Sequence, residues 1–270
     1  MGDAAKLWDI AVPAGPGRLP GLTMAGFTGR ADELVDLRVI PFPAVTLFLD
    51  FGDALVIDDA SGQRRSGSGV LGIAPRDIRA RGQAIECLQL RLSPVLAHAV
   101  LRPCAELDGA VVALADIWGP GAEQVQDRLR AAASWEERFA LAEATLAARA
   151  QAGRAVDPEV AFCWWQMVSR QGQVRIDALA DEAGWSRKRL WARFRDQIGL
   201  TPKRAAQLVR FDRAAHRLAA GNGAALVAAE AGYADQSHLH REALAFAGLT
   251  PTGVAAAPWL AVDDIAWATR

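Results

Sequence analysis

The sequence predicts an α+β protein with a small β-rich N-terminal domain, a helical linker region and an all-α C-terminal domain that carries two helix–turn–helix motifs. Short apolar runs between residues 34 and 92 are separated by Gly, Pro and Asp, as in antiparallel sheets. After residue 94 the apolar residues recur at helical spacing instead. The pattern of residues 175–202 then returns at residues 224–251. With 270 residues, 51% of them apolar, the chain is long enough for two domains with their own cores.

The N-terminal domain is predicted to cover residues 1–105. Residues 1–30 are rich in Gly and Pro and predict a loose lead-in with at most one strand. Residues 61–69 predict a flexible hairpin loop. The runs that predict strands are residues 34–40, 45–51, 54–57, 70–73 and 85–92.

One glycine-rich segment fits the letters of a dinucleotide-binding fingerprint, at residues 67–72. No predicted strand leads directly into it, and Pro75 interrupts the helix whose N-terminus would hold a pyrophosphate. We therefore expect no cofactor here.

The linker region, residues 106–152, is predicted to be helical. Residues 94–101, 107–117 and 122–133 have helical patterns, and Ser134 with Glu137 forms a capping box that opens a helix to about residue 150. That helix carries an apolar stripe with two interpretations. It packs on its own β-rich domain, or it forms a two-fold dimer contact. The stripe consists of Trp135, Phe139, Ala142 and Leu146.

The C-terminal domain is predicted at residues 153–257, followed by a tail at 258–270. Residues 157–170 predict its first helix, with Phe162, Trp165 and Met167 expected in the core. A short helix follows, with Gly184 at a tight turn and Ser186 as the N-cap of a second helix. The inward residues of the first helix are Ile176, Leu179, Ala180 and Ala183, and those of the second are Leu190 and Phe194.

The second copy of this pattern has the same parts. Gly232 takes the place of the turn glycine, and Asp235 begins a second recognition helix 49 residues after Ser186. Both copies end in Gly-Leu-Thr-Pro, at 199–202 and 248–251, and the first of these opens a connecting helix to about residue 219. The inward residues of the second copy are Ala224, Val227, Ala228, Ala231 and Leu239.

This C-terminal half resembles the DNA-binding domain of the AraC/XylS family of transcriptional regulators. The resemblance covers about residues 157–251. It is carried by A-x-x-x-G-W-S-x-x-x-L-x-x-x-F at 180–194, G-L-T-P at 199–202, R-x-x-x-A at 210–214 and G-Y-x-D-Q-S-H-L-x-R at 232–241. It implies sequence-specific binding of double-stranded DNA by two recognition helices in successive major grooves. It also implies a sensory or dimerisation role for the N-terminal domain.

Side chains on the two recognition helices are the candidates for reading bases, since Arg and Lys pair with guanine and Gln with adenine. Other basic residues are candidates for phosphate contacts, which fix the register without reading sequence. The base-reading candidates are Ser186, Arg187, Lys188, Trp191, Arg195, Gln236, Ser237, His240 and Arg241. The phosphate candidates are Arg175, Lys203, Arg204 and Arg210.

Two departures from the family pattern concern these helices. Ala192 stands where the family usually has arginine, and Ala243 and Leu244 stand where it has an aromatic anchor and a basic residue. They predict a second unit that packs more loosely or contributes mainly phosphate contacts.

Charge supports nucleic-acid binding locally, although the whole chain has a formal net charge of −1. Residues 175–217 hold 11 basic and 5 acidic residues, and phosphate attraction needs only a local basic surface. Three scattered cysteines, no secretory signal and no long apolar stretch favour a cytoplasmic protein without a membrane span.

Catalytic and metal-binding patterns are poor. The four histidines and the three cysteines do not form a ligand set, and no G-x-S-x-G occurs, so we expect neither an enzyme nor a metal site. A small-molecule effector, RNA polymerase and a second copy of the chain are the further partners that the resemblance allows. The alternative function is a ligand- or protein-binding module whose degenerate helix–turn–helix units no longer bind DNA.

Overall fold

The computed structural model describes residues 7–15, 17–30, 33–52, 54–59, 62, 64–74, 77–101, 107 and 110–267. The strands are β1 Trp8–Ala11, β2 Leu22–Gly29, β3 Leu34–Arg38, β4 Val45–Asp50, β5 Val56–Asp58, β6 Arg64–Ser66, β7 Gly69–Leu71, β8 Arg79–Gln83, β9 Glu86–Leu92 and β10 Val111–Ala113. The helices are α1 Pro94–Leu101, α2 Leu114–Trp118, α3 Gly121–Ala131, α4 Trp135–Ala152, α5 Pro158–Ser169, α6 Ile176–Glu182, α7 Arg187–Ile198, α8 Pro202–Ala219, α9 Ala224–Glu230, α10 Gln236–Ala247, α11 Pro251–Ala255 and α12 Pro258–Ala266. The predicted α+β architecture is confirmed.

The N-terminal domain contains two antiparallel sheets. One has the strand order β1-β2-β9-β4-β7-β10 and the other has the order β3-β8-β5-β6. Residues predicted as strands form β3, β4, β5, β7 and β9, and β7 leads into no helix that could hold a pyrophosphate. Each pairing in these two sheets joins strands that run in opposite directions. The predicted β-rich domain is therefore a two-sheet structure.

The described part of the first 30 residues, 7–15 and 17–30, is not the loose lead-in that the sequence predicts, and residues 1–6 and 16 lie outside the described residues. The described part contributes β1 and the eight-residue β2, which pairs with β9 along its length. Gly26 lies inside β2, and the indole of Trp135 packs against it. A side chain would not fit there, because a Cβ would stand 2.4 Å from a ring carbon. This glycine serves close packing rather than a turn.

Three other strands, β6, β8 and β10, differ from the sequence prediction. β6 lies in the predicted hairpin loop, and β10 lies where a helix was predicted, paired with β7. β8 has the polar sequence RARGQ, which gives no strand signal. Its arginines instead form ion pairs across the sheet, Arg79 to Asp36 at 3.0 Å and Arg81 to Asp58 at 3.1 Å. Cross-strand charge pairs of this kind stabilise a sheet without apolar alternation.

The apolar stripe of α4 packs on its own domain. Ser134 caps the helix as predicted, with its Oγ accepting from the Glu137 N–H at 3.2 Å. Phe139, Ala142 and Leu146 are buried, and Trp135 stacks on Phe139 with 6.0 Å between ring centroids. Of the two interpretations, the structure supports the intramolecular one, since these side chains are not available to a second copy.

The core-facing residues of α5 differ from the expected set. Met167 is buried as predicted, but Phe162 and Trp165 are 37% and 41% exposed. The buried stripe is shifted by one position and consists of Val160, Cys163, Trp164 and Met167. These four residues follow the helical spacing of three and four, and Phe162 and Trp165 lie beside it.

The predicted C-terminal tail is instead a helix, α12, that packs against the N-terminal domain. Trp259 stacks on Phe42 with 6.2 Å between ring centroids, and Asp263 forms a buried ion pair with Arg91 of β9. Within the described ranges, none of the helices combines the length and apolar character needed to cross a membrane. The same ranges contain no cluster of three or more His, Cys, Asp or Glu side chains suited to a metal ion.

Candidate DNA-binding surface

The two helix–turn–helix units are built by the same local chemistry. In the first, Gly184 has a φ of +68° and its N–H donates to the Asp181 carbonyl at 3.0 Å. In the second, Gly232 has a φ of +76°, and the N–H of Tyr233 donates to the Ala228 carbonyl at 2.9 Å. Glycine adopts this left-handed conformation without the steric cost that a Cβ brings. The sequence prediction of both turns is confirmed.

Gly184→Val is expected to lower the free energy of unfolding by about 1–2 kcal/mol and to weaken DNA binding with it. No atom lies within 4 Å of a Cβ at Gly184, so the cost comes from backbone strain and not from a clash. Thermal unfolding monitored by circular dichroism measures it. Gly223→Thr is the matched control, because Gly223 also has open space but a φ of −63°. Equal stability of the two variants would contradict the strain at Gly184.

Both recognition helices begin at a capping side chain. Ser186 accepts from the N–H of Arg189 at 3.2 Å to open α7, and Asp235 accepts from the N–H of His238 at 2.7 Å to open α10. α7 buries Leu190 on its inner face, and α10 buries Leu239 at the equivalent position, 49 residues later. Each helix therefore has a defined start and turns its opposite face to solvent.

The exposed face of α7 carries the predicted base-reading residues. Lys188 is exposed, Trp191 is 45% exposed, and the Arg195 guanidinium lies 5.3 Å from the indole centroid of Trp191. This contact holds two large side chains together on the outward face. Arg187 is also exposed, but it forms an ion pair with Asp177 at 2.7 Å.

The exposed face of α10 has a different chemistry. Gln236, Ser237, His240 and Arg241 are all exposed and line a cleft of about 570 Å³ together with residues 250–252. Leu244 is 45% exposed on the same side and corresponds to Arg195, 49 residues earlier. In the sequence, Leu244 stands out only because it occupies a position where the family has a basic residue. Its exposure makes it a candidate for contact with a thymine methyl group.

The second unit packs as tightly as the first. Leu239 and Ala243 have no exposed surface, and Phe246 stacks on Phe211 of α8 with 5.2 Å between ring centroids. The aromatic anchor that the sequence lacks at Ala243 is supplied by Phe246, three residues later. These contacts do not support looser packing, and the alternative, that the second unit contributes mainly phosphate contacts, stays a prediction.

Only two of the four phosphate candidates have exposed side chains. Arg175 and Lys203 are exposed. Arg204 instead donates to the Ala245 carbonyl at 3.2 Å and lies 3.5 Å from the ring centroid of Phe246. Its guanidinium is engaged with the carboxyl end of α10, and its contact with phosphate stays a prediction.

Arg210, like Arg204, is engaged inside the domain. Its Nη2 lies 2.6 Å from a carboxylate oxygen of Glu242, and the side chains of these two residues are only 15% and 4% exposed. Tyr233 donates from its hydroxyl to the same carboxylate at 2.7 Å, and burial, together with Glu242, raises the pKa of Tyr233. Arg210 joins α8 to α10 within the domain, and its contact with phosphate stays a prediction.

Two arginines on α7 were not among the candidates. Arg189 is exposed, with its guanidinium 4.3 Å from the Trp185 ring centroid. Arg193 forms a two-bond pair with Asp157 at 2.7 and 3.0 Å, and this guanidinium lowers the pKa of Asp157 to about 2. Arg189 is free to extend the basic surface, whereas Arg193 fixes α7 to the start of α5.

Two helix–turn–helix units with exposed recognition helices define a DNA-binding class of domain. Residues 179–257 match the family model described as "Helix-turn-helix domain". The C-terminal domain thus contains a helix–turn–helix domain, as its motifs predict.

Comparison with other proteins adds similarity at low identity. No curated protein matches the chain. Among solved structures, it is similar to ToxT from Vibrio cholerae O395, at 9% identity over 86% of this chain and 96% of that chain, with a TM-score of 0.46. It is also similar to the C-terminal domain of AraT, a response regulator from Geobacillus stearothermophilus. The identity is 16% over 37% of this chain and 85% of that chain, with a TM-score of 0.35. A third similar structure is that of the AraC-like transcriptional activator CuxR. The identity is 15% over 70% of this chain and 80% of that chain, with a TM-score of 0.28.

Proposed function

We propose that this protein regulates transcription by binding a specific double-stranded DNA site, with α7 and α10 in successive major grooves. The observation that carries the proposal is the duplicated recognition helix. Both copies, α7 and α10, have an exposed face, and the helix α8 connects the two units. Successive major grooves on one face of a duplex lie one helical turn apart, or ~34 Å. Binding with both helices therefore requires two short half-sites in a fixed order.

The two helices are expected to recognise different base sequences. The outward residues of α7 are basic and aromatic, whereas those of α10 include an amide, a hydroxyl and an exposed leucine. Basic side chains favour guanine, an amide favours adenine, and an apolar side chain favours the methyl group of thymine. The proposed site is accordingly asymmetric, with a guanine-rich half facing α7 and an A·T-rich half facing α10.

Selection of bound sites from random duplex DNA, followed by titration at several salt concentrations, tests this function. Groove binding releases counterions, so the logarithm of the binding constant should fall linearly with the logarithm of salt concentration. Enrichment of one asymmetric site with two half-sites is the expected result. No enrichment, with binding that does not depend on salt, would favour the alternative of degenerate helix–turn–helix units.

The apolar cavity inside the N-terminal domain is too small for an ordinary effector in this conformation. The interior of the N-terminal domain has an apolar cavity of about 30 Å³, lined in part by Trp8, Phe27 and Cys87 and closed by Trp259 and Val262 of α12. That volume suits about one water, whereas ligand sites usually measure about 300–1,000 Å³. An effector that binds in this cavity would have to displace α12. The proposed function therefore rests on DNA, and contacts with RNA polymerase or a second copy stay predictions.

A further inference from the structure

The N-terminal domain contacts the carboxyl end of the first recognition helix. His98, on α1, lies with its Nδ1 3.0 Å from the carbonyl oxygen of Gln197, in the last turn of α7. A carbonyl only accepts, so the Nδ1 carries the proton and donates it. Burial lowers the pKa of His98, which favours the neutral ring with that tautomer. The bond satisfies a carbonyl that the helix itself leaves without a partner.

The same domain contacts the carboxyl end of the second recognition helix. Gly248 ends α10 with a φ of +63°, and the guanidinium of Arg38 from β3 lies against it. A Cβ at Gly248 would stand 2.7 Å from the Arg38 Nη2. Asp77 pairs with Arg38, and its Oδ1 would stand 3.6 Å from the same Cβ. A cation at this end of a helix is favourable, because the carboxyl end carries partial negative charge.

A third contact reaches the connecting helix α8. Asp263 of α12 forms a buried ion pair with Arg91 of β9, and its other oxygen lies 3.1 Å from the His216 Nε2 of α8. The Arg91 guanidinium also lies 3.8 Å from the centroid of Phe42. This network joins the central sheet, the C-terminal helix and the connector between the two helix–turn–helix units.

We propose that the N-terminal domain fixes the relative placement of the two recognition helices, with His98 and Arg38 as positioning residues for the spacing between half-sites. The inference rests on the proposed function, since it requires both helices to enter DNA. Inside the DNA-binding domain, the two units are joined by α8 and by a bond from the Gln173 Nε2, before α6, to the Glu230 carbonyl of α9 at 3.2 Å. Long helices such as α8 curve gently. Additional contacts at the ends of α7 and α10 restrict that bending.

The location of the His98 contact makes its effect measurable. It lies at the edge of an open cleft of about 630 Å³, lined also by Arg154, Arg193 and Gln197. The cleft lies between α7 and the end of α4. Removal of the imidazole is therefore expected to loosen α7 without opening a cavity in either core.

The experiment uses the full chain and the DNA site selected from random sequence, with one base pair inserted between or removed from between the half-sites. Each such change moves one half-site by about 3.4 Å and rotates it by about 35°. The wild-type protein should lose about tenfold in affinity for either change, similar to one mismatched base pair. His98→Ala and Arg38→Ala should lose about threefold or less, because the recognition helices then adapt to the new spacing.

Two conservative controls accompany these variants. His98→Asn keeps a donor near the position of Nδ1 and should retain the tenfold penalty. Arg79→Ala removes an arginine of the same sheet that pairs with Asp36, and it should also behave as wild type. Thermal unfolding of each variant separates loosened spacing from loss of fold.

The outcomes distinguish the inference from the function beneath it. If His98→Ala and Arg38→Ala keep the tenfold penalty, the positioning roles are overturned while the two-groove function stands. A uniform loss of affinity at every spacing, with the penalty retained, also overturns them. If the wild-type protein binds half-sites at any spacing equally well, the proposed function fails and the inference fails with it.

Discussion

Arg210→Ala is expected to lower the free energy of unfolding of the C-terminal domain by about 3–5 kcal/mol. Loss of the guanidinium leaves the Glu242 carboxylate, only 4% exposed, without its charged partner at 2.6 Å. An orphaned buried charge costs more than the original pair contributes. Chemical denaturation followed by circular dichroism measures the change.

A matched variant exists on the surface of the same domain. Arg170 forms a two-bond pair with Glu182 at 3.0 and 3.1 Å, but these side chains are 43% and 37% exposed. Arg170→Ala should therefore destabilise the domain far less, because solvent screens an exposed pair. Adding Glu242→Gln to Arg210→Ala should recover part of the loss, because the orphaned charge is removed. Equal effects of Arg210→Ala and Arg170→Ala would show that burial of the first pair has no energetic consequence.

Lys188→Ala is expected to weaken binding to the selected DNA site by about 1–3 kcal/mol, with a much smaller effect on random DNA. Lys188 lies in the first turn of α7, on the face opposite Leu190, and it is exposed. Arg187 is a weaker candidate for base reading, since it already pairs with Asp177. Fluorescence anisotropy with both DNA types at constant salt concentration gives the comparison.

Lys203→Ala is the contrasting variant for this measurement. Lys203 is exposed in the first turn of α8 and is predicted to contact phosphate. Its loss should weaken binding to both DNA types about equally and reduce the salt slope by about 1. If Lys188→Ala gives this uniform pattern instead, Lys188 contacts phosphate. No change on either DNA would remove Lys188 from the interface.

The sequence by itself determined the duplicated helix–turn–helix domain. Its signals are local, because a turn glycine, a capping hydroxyl and an apolar stripe act within a few residues of one another. Gly184 and Gly232 have the positive φ that their places predict, and Ser186 and Asp235 accept the expected N–H groups. For the same reason, the exposed faces of α7 and α10 could be predicted from helical periodicity alone.

Only the tertiary structure decided which polar residues are engaged inside the protein. Arg210 and Arg204 have the sequence signature of phosphate ligands, yet Glu242 and the carboxyl end of α10 hold them. Their partners lie 32 and 41 residues away, so no local pattern reveals them. A basic side chain next to a recognition helix is available to DNA only if no acceptor from elsewhere in the fold reaches it first.

Long-range contact also explains the elements that the sequence did not predict. β2 forms because β9 pairs with it, and Gly26 is needed because Trp135 packs there from α4. β8 is a strand because its arginines meet carboxylates on neighbouring strands, and α12 is held by a pair that joins Asp263 to Arg91, 172 residues away. Sheet pairing and domain contacts depend on residues far apart in the chain, whereas the turn and cap chemistry of a helix–turn–helix unit lies within one short segment.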